Sequence, residues 1–144
     1  MDEMFAGCTA LKILKTSEKF NSNSLEEMEK MFKECKSLIS LDLSGFTTIN
    51  VKYMDYAFNN CSSLEYLDVS NFRTNAAFNI KFMFNGCSSL TSLNLAYFDT
   101  SKIDDVRLES IFDSCEKLKL TISKKKCSNL LPFIPSYVEV IDIN

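Results

Sequence analysis

A chain of 144 residues is long enough for one domain with a sizeable core, and its 46% hydrophobic content is ordinary for a folded protein. A net charge of −3, with acids and bases mixed along the chain, excludes the concentrated basic field that a nucleic-acid surface needs to neutralise phosphates. No apolar run approaches the roughly 18–20 residues that span a bilayer, and Met1-Asp2-Glu3 places acids where the basic start of a secretory signal would lie, so no signal peptide is expected here.

Twelve Phe, five Tyr and no Trp make Phe the bulk of any core. The Phe residues recur in register. Phe5/Cys8, Phe32/Cys35, Phe58/Cys61, Phe84/Cys87 and Phe112/Cys115 repeat at intervals of 27, 26, 26 and 28 residues. A Leu follows each Cys by three places, at Leu11, Leu38, Leu64, Leu90 and Leu118. Leu14, Leu41, Leu67 and Leu93 come next, then Leu43, Val69 and Leu95. Phe20, Phe46, Phe72 and Phe98 close each unit, and a hydroxyl residue stands two places on, at Ser22, Thr48, Thr74 and Thr100. Such a period marks a stack of units that bury their apolar faces against one another.

In chain order, the first unit opens at Met1, which aligns with Met28 and Met54 inside the unit. Either Met1 is a boundary within a longer protein, the favoured reading, or the first unit is left uncapped. Each strand is expected at L-x-x-L-x-L, as in Leu38 to Leu43, where Leu41 and Leu43 alternate with Ser40, Asp42 and Ser44. Helices are expected over 25–33, 51–59, 77–85 and 105–113. Leu25, Met28 and Phe32, then Val51, Met54 and Phe58, then Ala77, Ile80 and Phe84 fall at helical spacing. Ser24 with Glu27 reads as a capping box, and Asn50 and Asp104 as N-caps, while Ala76 cannot cap. Leu118, Leu120 and Ile122 keep a strand; Lys124-Lys125-Lys126-Cys127 then breaks the period, and Pro132 and Pro135 bracket a turn. Tyr137 to Ile143 reads as a last strand. The expected organisation is therefore repeats over 1–123 and a C-terminal cap over 124–144. The expected fold is an α/β solenoid, with a parallel β-sheet on its concave face and short helices on its convex face.

The run Met83-Phe84-Asn85-Gly86-Cys87-Ser88-Ser89-Leu90-Thr91-Ser92-Leu93-Asn94-Leu95-Ala96-Tyr97-Phe98-Asp99-Thr100 resembles the BspA-like leucine-rich repeat, in the 26-residue form found in surface proteins. The resemblance covers about residues 1–123. It implies a curved leucine-rich-repeat solenoid and roles in adhesion and protein binding at cell surfaces, hence a cell-surface or extracellular location. It implies no catalytic residues and no cofactor.

The residues agree on the absence of enzyme chemistry. There is no His, the commonest general base, and no nucleophile elbow, phosphate loop or dinucleotide fingerprint. Neighbouring acids such as Glu26 with Glu27, or Asp104 with Asp105, would diverge on a helix and favour its positive N-terminal end. With no C-x-x-C and no His, the Cys column is not a zinc site. Its equivalent positions point in parallel, so the column reads as buried thiols rather than disulfides. Cys127, beside three lysines, reads as a structural cap residue whose thiol those lysines would acidify only if it were exposed. The column of Thr48, Thr74 and Thr100 is expected to satisfy turn backbone groups. Asn60-Cys61-Ser62 fits a glycosylation sequon, but its Cys belongs to the buried column, so no use is expected.

Specificity is then left to the outward strand positions. One row reads Ile13, Ser40, Tyr66, Ser92, Lys119; the next reads Lys15, Asp42, Asp68, Asn94, Thr121; a third reads Ser17, Ser44, Ser70, Ala96, Ser123. Tyr66 is the one large aromatic of this face, the type that anchors interfaces. Ser40, Asp42, Tyr66, Asp68, Ser92, Asn94 and Lys119 are the candidate binding residues. The function expected is a non-catalytic recognition or adhesion module whose partner is a protein or surface glycan. The alternative is a structural protein that self-associates end to end through its open N-terminal edge.

Overall fold

The computed structural model describes residues 2–16 and 22–144. The expected Phe20, the outward Ser17 and the alignment of Met1 lie outside the described residues. Six short strands run β1 (Ile13–Lys15), β2 (Ser40–Asp42), β3 (Tyr66–Asp68), β4 (Ser92–Asn94), β5 (Lys119–Ile122) and β6 (Glu139–Asp142). They pair in parallel at the repeat's own register: Leu14 opposite Leu41, Leu41 opposite Leu67, Leu93 opposite Leu120, and Leu120 opposite Val140.

The expected leucine-rich-repeat solenoid, with one continuous sheet and a helix in every unit, is not what forms. The strands divide into two three-stranded sheets, β1-β2-β3 and β4-β5-β6, with no ladder between β3 and β4. No α-helix is present among the described residues. Only two short 3-10 helices occur, at Asp105–Arg107 and Leu131–Phe133. The segments 25–33, 51–59 and 77–85 are successive turns, joined by isolated parallel bridges from Glu27 to Tyr53 and from Tyr53 to Asn79.

The backbone explains the loss of the helices. Two residues in each unit take a left-handed conformation: Glu3, Lys30, Tyr56, Phe82 and Ser110 in one column, and Gly7, Glu34, Asn60, Gly86 and Ser114 four places on. A left-handed residue breaks a right-handed helix and costs an L-amino acid roughly 1–2 kcal/mol. Here it turns the N–H toward the next unit. Lys30 N–H donates to the Asp55 carbonyl at 3.0 Å, Glu34 to Asn59 at 2.8 Å, Tyr56 to Lys81 at 3.0 Å, and Gly86 to Asp113 at 2.8 Å. Met28 and Phe32 likewise donate forward, to Tyr53 and Ala57. The residues between them close three-residue turns, with Met31 N–H bonding the Met28 carbonyl and Lys33 that of Lys30. Alternate N–H groups thus go to the neighbouring unit, and no i→i−4 ladder is left to build. The expected caps have nothing to cap. Asp104 caps no backbone N–H of the 3-10 turn it precedes, its carboxylate accepting from the Arg107 side chain at 3.2 Å, and the Asn50 amide instead donates to the Asn23 carbonyl of the preceding unit at 2.9 Å.

Three side-chain columns run through the stack. Phe5, Phe32, Phe58, Phe84 and Phe112 stack face to face, with centroids 5.0, 5.7, 5.4 and 5.8 Å apart and planes within 3–5°, inside the range where offset stacking is favourable. Beside them, each thiol donates to a Phe carbonyl of the unit before: Cys35 to Phe5 at 3.0 Å, Cys61 to Phe32 at 3.1 Å, Cys87 to Phe58 at 3.2 Å and Cys115 to Phe84 at 3.2 Å. A small, weakly polar side chain fits that position because it fills core space and reaches a backbone oxygen at once. The third column is hydroxyl. Thr74 Oγ1 donates to the Asp99 carbonyl at 2.9 Å and accepts the Asp99 N–H at 2.8 Å. Thr48 does the same for Arg73, and Ser22 for Thr47. The hydroxyls therefore staple one unit to the next rather than closing turns of their own. At Thr100 the side chain of Asn129 takes the place of the next backbone, accepting Oγ1–H at 2.6 Å and donating to the Thr100 carbonyl.

One group fits this stack poorly. Asp55 is 8% exposed, and its Oδ1 is buried without a hydrogen-bond partner. Burial, then the nearby Glu29 carboxylate, raise its pKa; its own backbone N–H and Lys30 oppose them, and Asp2 adds least.

Two outcomes are expected. Thr74→Val, which leaves the Asp99 N–H and carbonyl unpaired, destabilises by about 2–4 kcal/mol in urea unfolding, while Thr74→Ser stays within about 1 kcal/mol of wild type. For Asp55 the folded pKa lies above the unfolded value of about 3.9, so its favourable contribution is fully present below that pH and is lost as pH rises through the folded value. Asp55→Asn should therefore gain stability relative to wild type between about pH 4 and pH 7; parallel urea curves at both pH values check the sign.

Candidate functional site

The strands place the candidate residues by parity. Leu41, Leu67 and Leu93 point into the core, so the residues on either side of each point out. Ser40, Tyr66 and the exposed Ile13 form one row on the first sheet, and Ser92, Lys119 and Glu139 continue it on the second. The Lys119 ammonium is held by Glu139 at 3.0 Å, so this candidate is occupied by its own neighbour.

The second row has a structural duty as well. Asp42, Asp68 and Asn94 each turn the chain after their strand, with Oδ1 accepting the N–H two residues on: Ser44 at 3.0 Å, Ser70 at 2.9 Å and Ala96 at 3.0 Å. This is the Asx turn, and it explains the recurrence of Asp or Asn at this position. Only the second oxygen of each carboxylate is left for other contacts. That of Asp42 meets Lys15 Nζ at 3.5 Å, and that of Asp68 lies 3.5 Å from the Tyr66 hydroxyl. Hydrogen bonds from the Ser44 side chain and backbone, with Lys15 adding, hold Asp42 below the usual carboxylate range. The Asp68 charge, with burial and Asp42, pushes the Tyr66 phenol up, so it stays a neutral hydrogen-bond donor.

Where the ladder is interrupted, the strand face opens into a cleft of about 250 Å³ between β3 and β4. Tyr66 and Asp68 line it from one side, and Ser92 and Asn94 from the other. Four of the candidate residues are thereby brought together. Ser40 and Asp42 sit one strand away on β2, and Lys119 one strand beyond on β5. Tyr66 is 53% exposed at this cleft, so its ring is free to make new contacts.

A second cleft, of about 330 Å³, was not expected from the sequence. It lies in the loops that follow β2 and β3 and is lined by Ser44, Thr47, Ile49, Asn71 and Arg73 among others. The Arg73 guanidinium carbon lies over the Tyr97 ring, 3.6 Å from its centroid. The only hint in the sequence was rarity, since Arg73 and Arg107 are the chain's two arginines.

Four of the thiols are spent on Phe carbonyls of the preceding unit. All six cysteines are free; Cys8 is partly buried and the others fully so. Burial raises the Cys115 thiol to about 12 and pushes Cys127 up despite the adjacent lysines. Among the described residues no group of three or more Cys, Asp or Glu side chains is disposed to hold a metal ion, and no helix is long and apolar enough to cross a membrane.

No curated protein and no solved structure matches the chain. Residues 1–125 match the family model described as "Mycoplasma protein of unknown function, DUF285", and the chain belongs to that family.

Proposed function

We propose that this protein is a non-catalytic recognition module that binds a partner protein through the cleft between β3 and β4. The observation that carries the reading is the convergence of Tyr66, Asp68, Ser92 and Asn94 where main-chain pairing stops. An exposed aromatic ring beside hydrogen-bonding groups of both kinds is the usual chemistry of an interface anchor. The similarity of the repeat to BspA-like repeats supports an adhesive role and a place at the cell surface. The absence of His, with cysteines whose thiols are buried in bonds to carbonyls, supports a role without catalysis.

The test is binding of the protein to a panel of immobilised cell-surface and extracellular-matrix proteins. The double variant Tyr66→Ala/Asp68→Asn serves as the comparison. Asn at 68 keeps an oxygen for the Ser70 N–H, so the turn survives while the charge goes. Loss of an anchoring ring should weaken binding by about tenfold or more. A double variant that binds every panel member as tightly as wild type would overturn the reading.

A further inference from the structure

We propose that the cleft in the loops after β2 and β3 is a second binding site, which takes a carboxylate carried by an acidic peptide segment and grips it with Arg73. The inference does not depend on the cleft between β3 and β4, since neither Tyr66 nor Asp68 lines this one.

Arg73 is held in advance of any ligand. Its N–H donates to the buried Thr48 hydroxyl at 2.7 Å, and its carbonyl accepts that same hydroxyl's proton at 2.9 Å. Its side chain is fixed at two points: Nη1 donates to the Phe72 carbonyl at 3.2 Å, and the guanidinium carbon sits over the Tyr97 ring at 3.6 Å. What this leaves over is the edge formed by Nε and Nη2, the fork that matches a carboxylate in two parallel hydrogen bonds. A guanidinium already stacked loses little freedom on binding.

The fork has no carboxylate of its own among the described residues. Lys15, Lys30, Lys52, Lys81, Lys119 and Arg107 all do. The acid next in the column, Asp99, makes no ion pair with Arg73; its Oδ1 accepts both the N–H and the hydroxyl of Ser101, at 3.0 and 2.6 Å. In a chain of net charge −3, this cleft thus has a cation as its one charged wall. The side chains of Ser44 and Thr47 add hydroxyls beside it, and the Asn71 amide is tied to the Ser44 carbonyl at 2.6 Å, joining the two loops. Ile49, 58% exposed, supplies an apolar rim. That rim suits the aliphatic side chain of a peptide better than the hydroxylated surface of a uronic-acid glycan, and so selects the peptide.

The experiment is an amide-resolved NMR titration of the intact protein with a short peptide of alternating Leu and Glu. Saturable shifts are expected at residues 44–49 and 71–73. Arg73→Gln should weaken binding by about tenfold or more, and Arg73→Lys should weaken it too, because an ammonium lacks the fork. Both variants should keep the wild-type spectrum elsewhere, since the Thr48 bonds are to the backbone of residue 73 and not to its side chain. Absence of a saturable shift, or equal affinity in Arg73→Gln, would overturn the site. Binding of an oligoglucuronate but not the peptide would overturn the peptide assignment. The double variant Tyr66→Ala/Asp68→Asn should leave this titration unchanged, so the failure of either cleft can be told from the failure of the other.

Discussion

The rest of the structure depends on hydrogen bonds that run from one repeat to the next. In an α-helix a segment satisfies its own backbone; here alternate N–H groups on the turn side are satisfied only by the following unit. Lys30, Phe32 and Glu34 have no partners without Asp55, Ala57 and Asn59. The Thr48 and Thr74 hydroxyls and the Cys35, Cys61 and Cys87 thiols obey the same rule, because each spends its polar group on a neighbour's backbone. A unit is therefore a fragment of a larger bonding pattern, and its stability belongs to its interfaces. The left-handed residues are the local cost of that arrangement, and the forward bonds offset it.

This constraint also decides which residues are available for function. The most repeated side chains are already used, Phe, Cys and Thr in the three columns and Leu in the core. Even the outward Asp42, Asp68 and Asn94 give one oxygen to the Asx turns. What remains is a small set of side chains that the columns do not use: Tyr66 at one cleft, and Arg73 at the other.

Strand positions and facing were legible because alternation in Leu41-Asp42-Leu43 has a single physical reading, and the outward facing of Tyr66, Asp68, Ser92 and Asn94 followed from that parity. The helices were misread because apolar residues three and four apart, as in Leu25, Met28 and Phe32, suit a string of tight turns as well as a helix. Gly7, Asn60 and Gly86 mark one left-handed column in the usual residue types, but Glu34 and Ser114 share it without that signature. The other column, through Lys30, Tyr56 and Phe82, carries no such residue at all. The break between β3 and β4 left no trace in composition, since Leu67 and Leu93 are equivalent. Arg73 was missed because its column, Thr47-Arg73-Asp99, shares no chemistry and lies beyond the strands.

The interruption at the cleft has a mechanical side. Strand pairing stops there, yet the turn side is joined without a gap: Met54, Tyr56, Phe58 and Asn60 all donate across the same junction, Thr74 bridges it, and Phe58 stacks on Phe84. Load passing along the stack at this junction is therefore carried by turn-side and loop contacts, Arg73 on Tyr97 among them, and not by strand pairing. A ligand seated between Tyr66 and Asn94 would add its contacts on the side of the stack where main-chain pairing is missing.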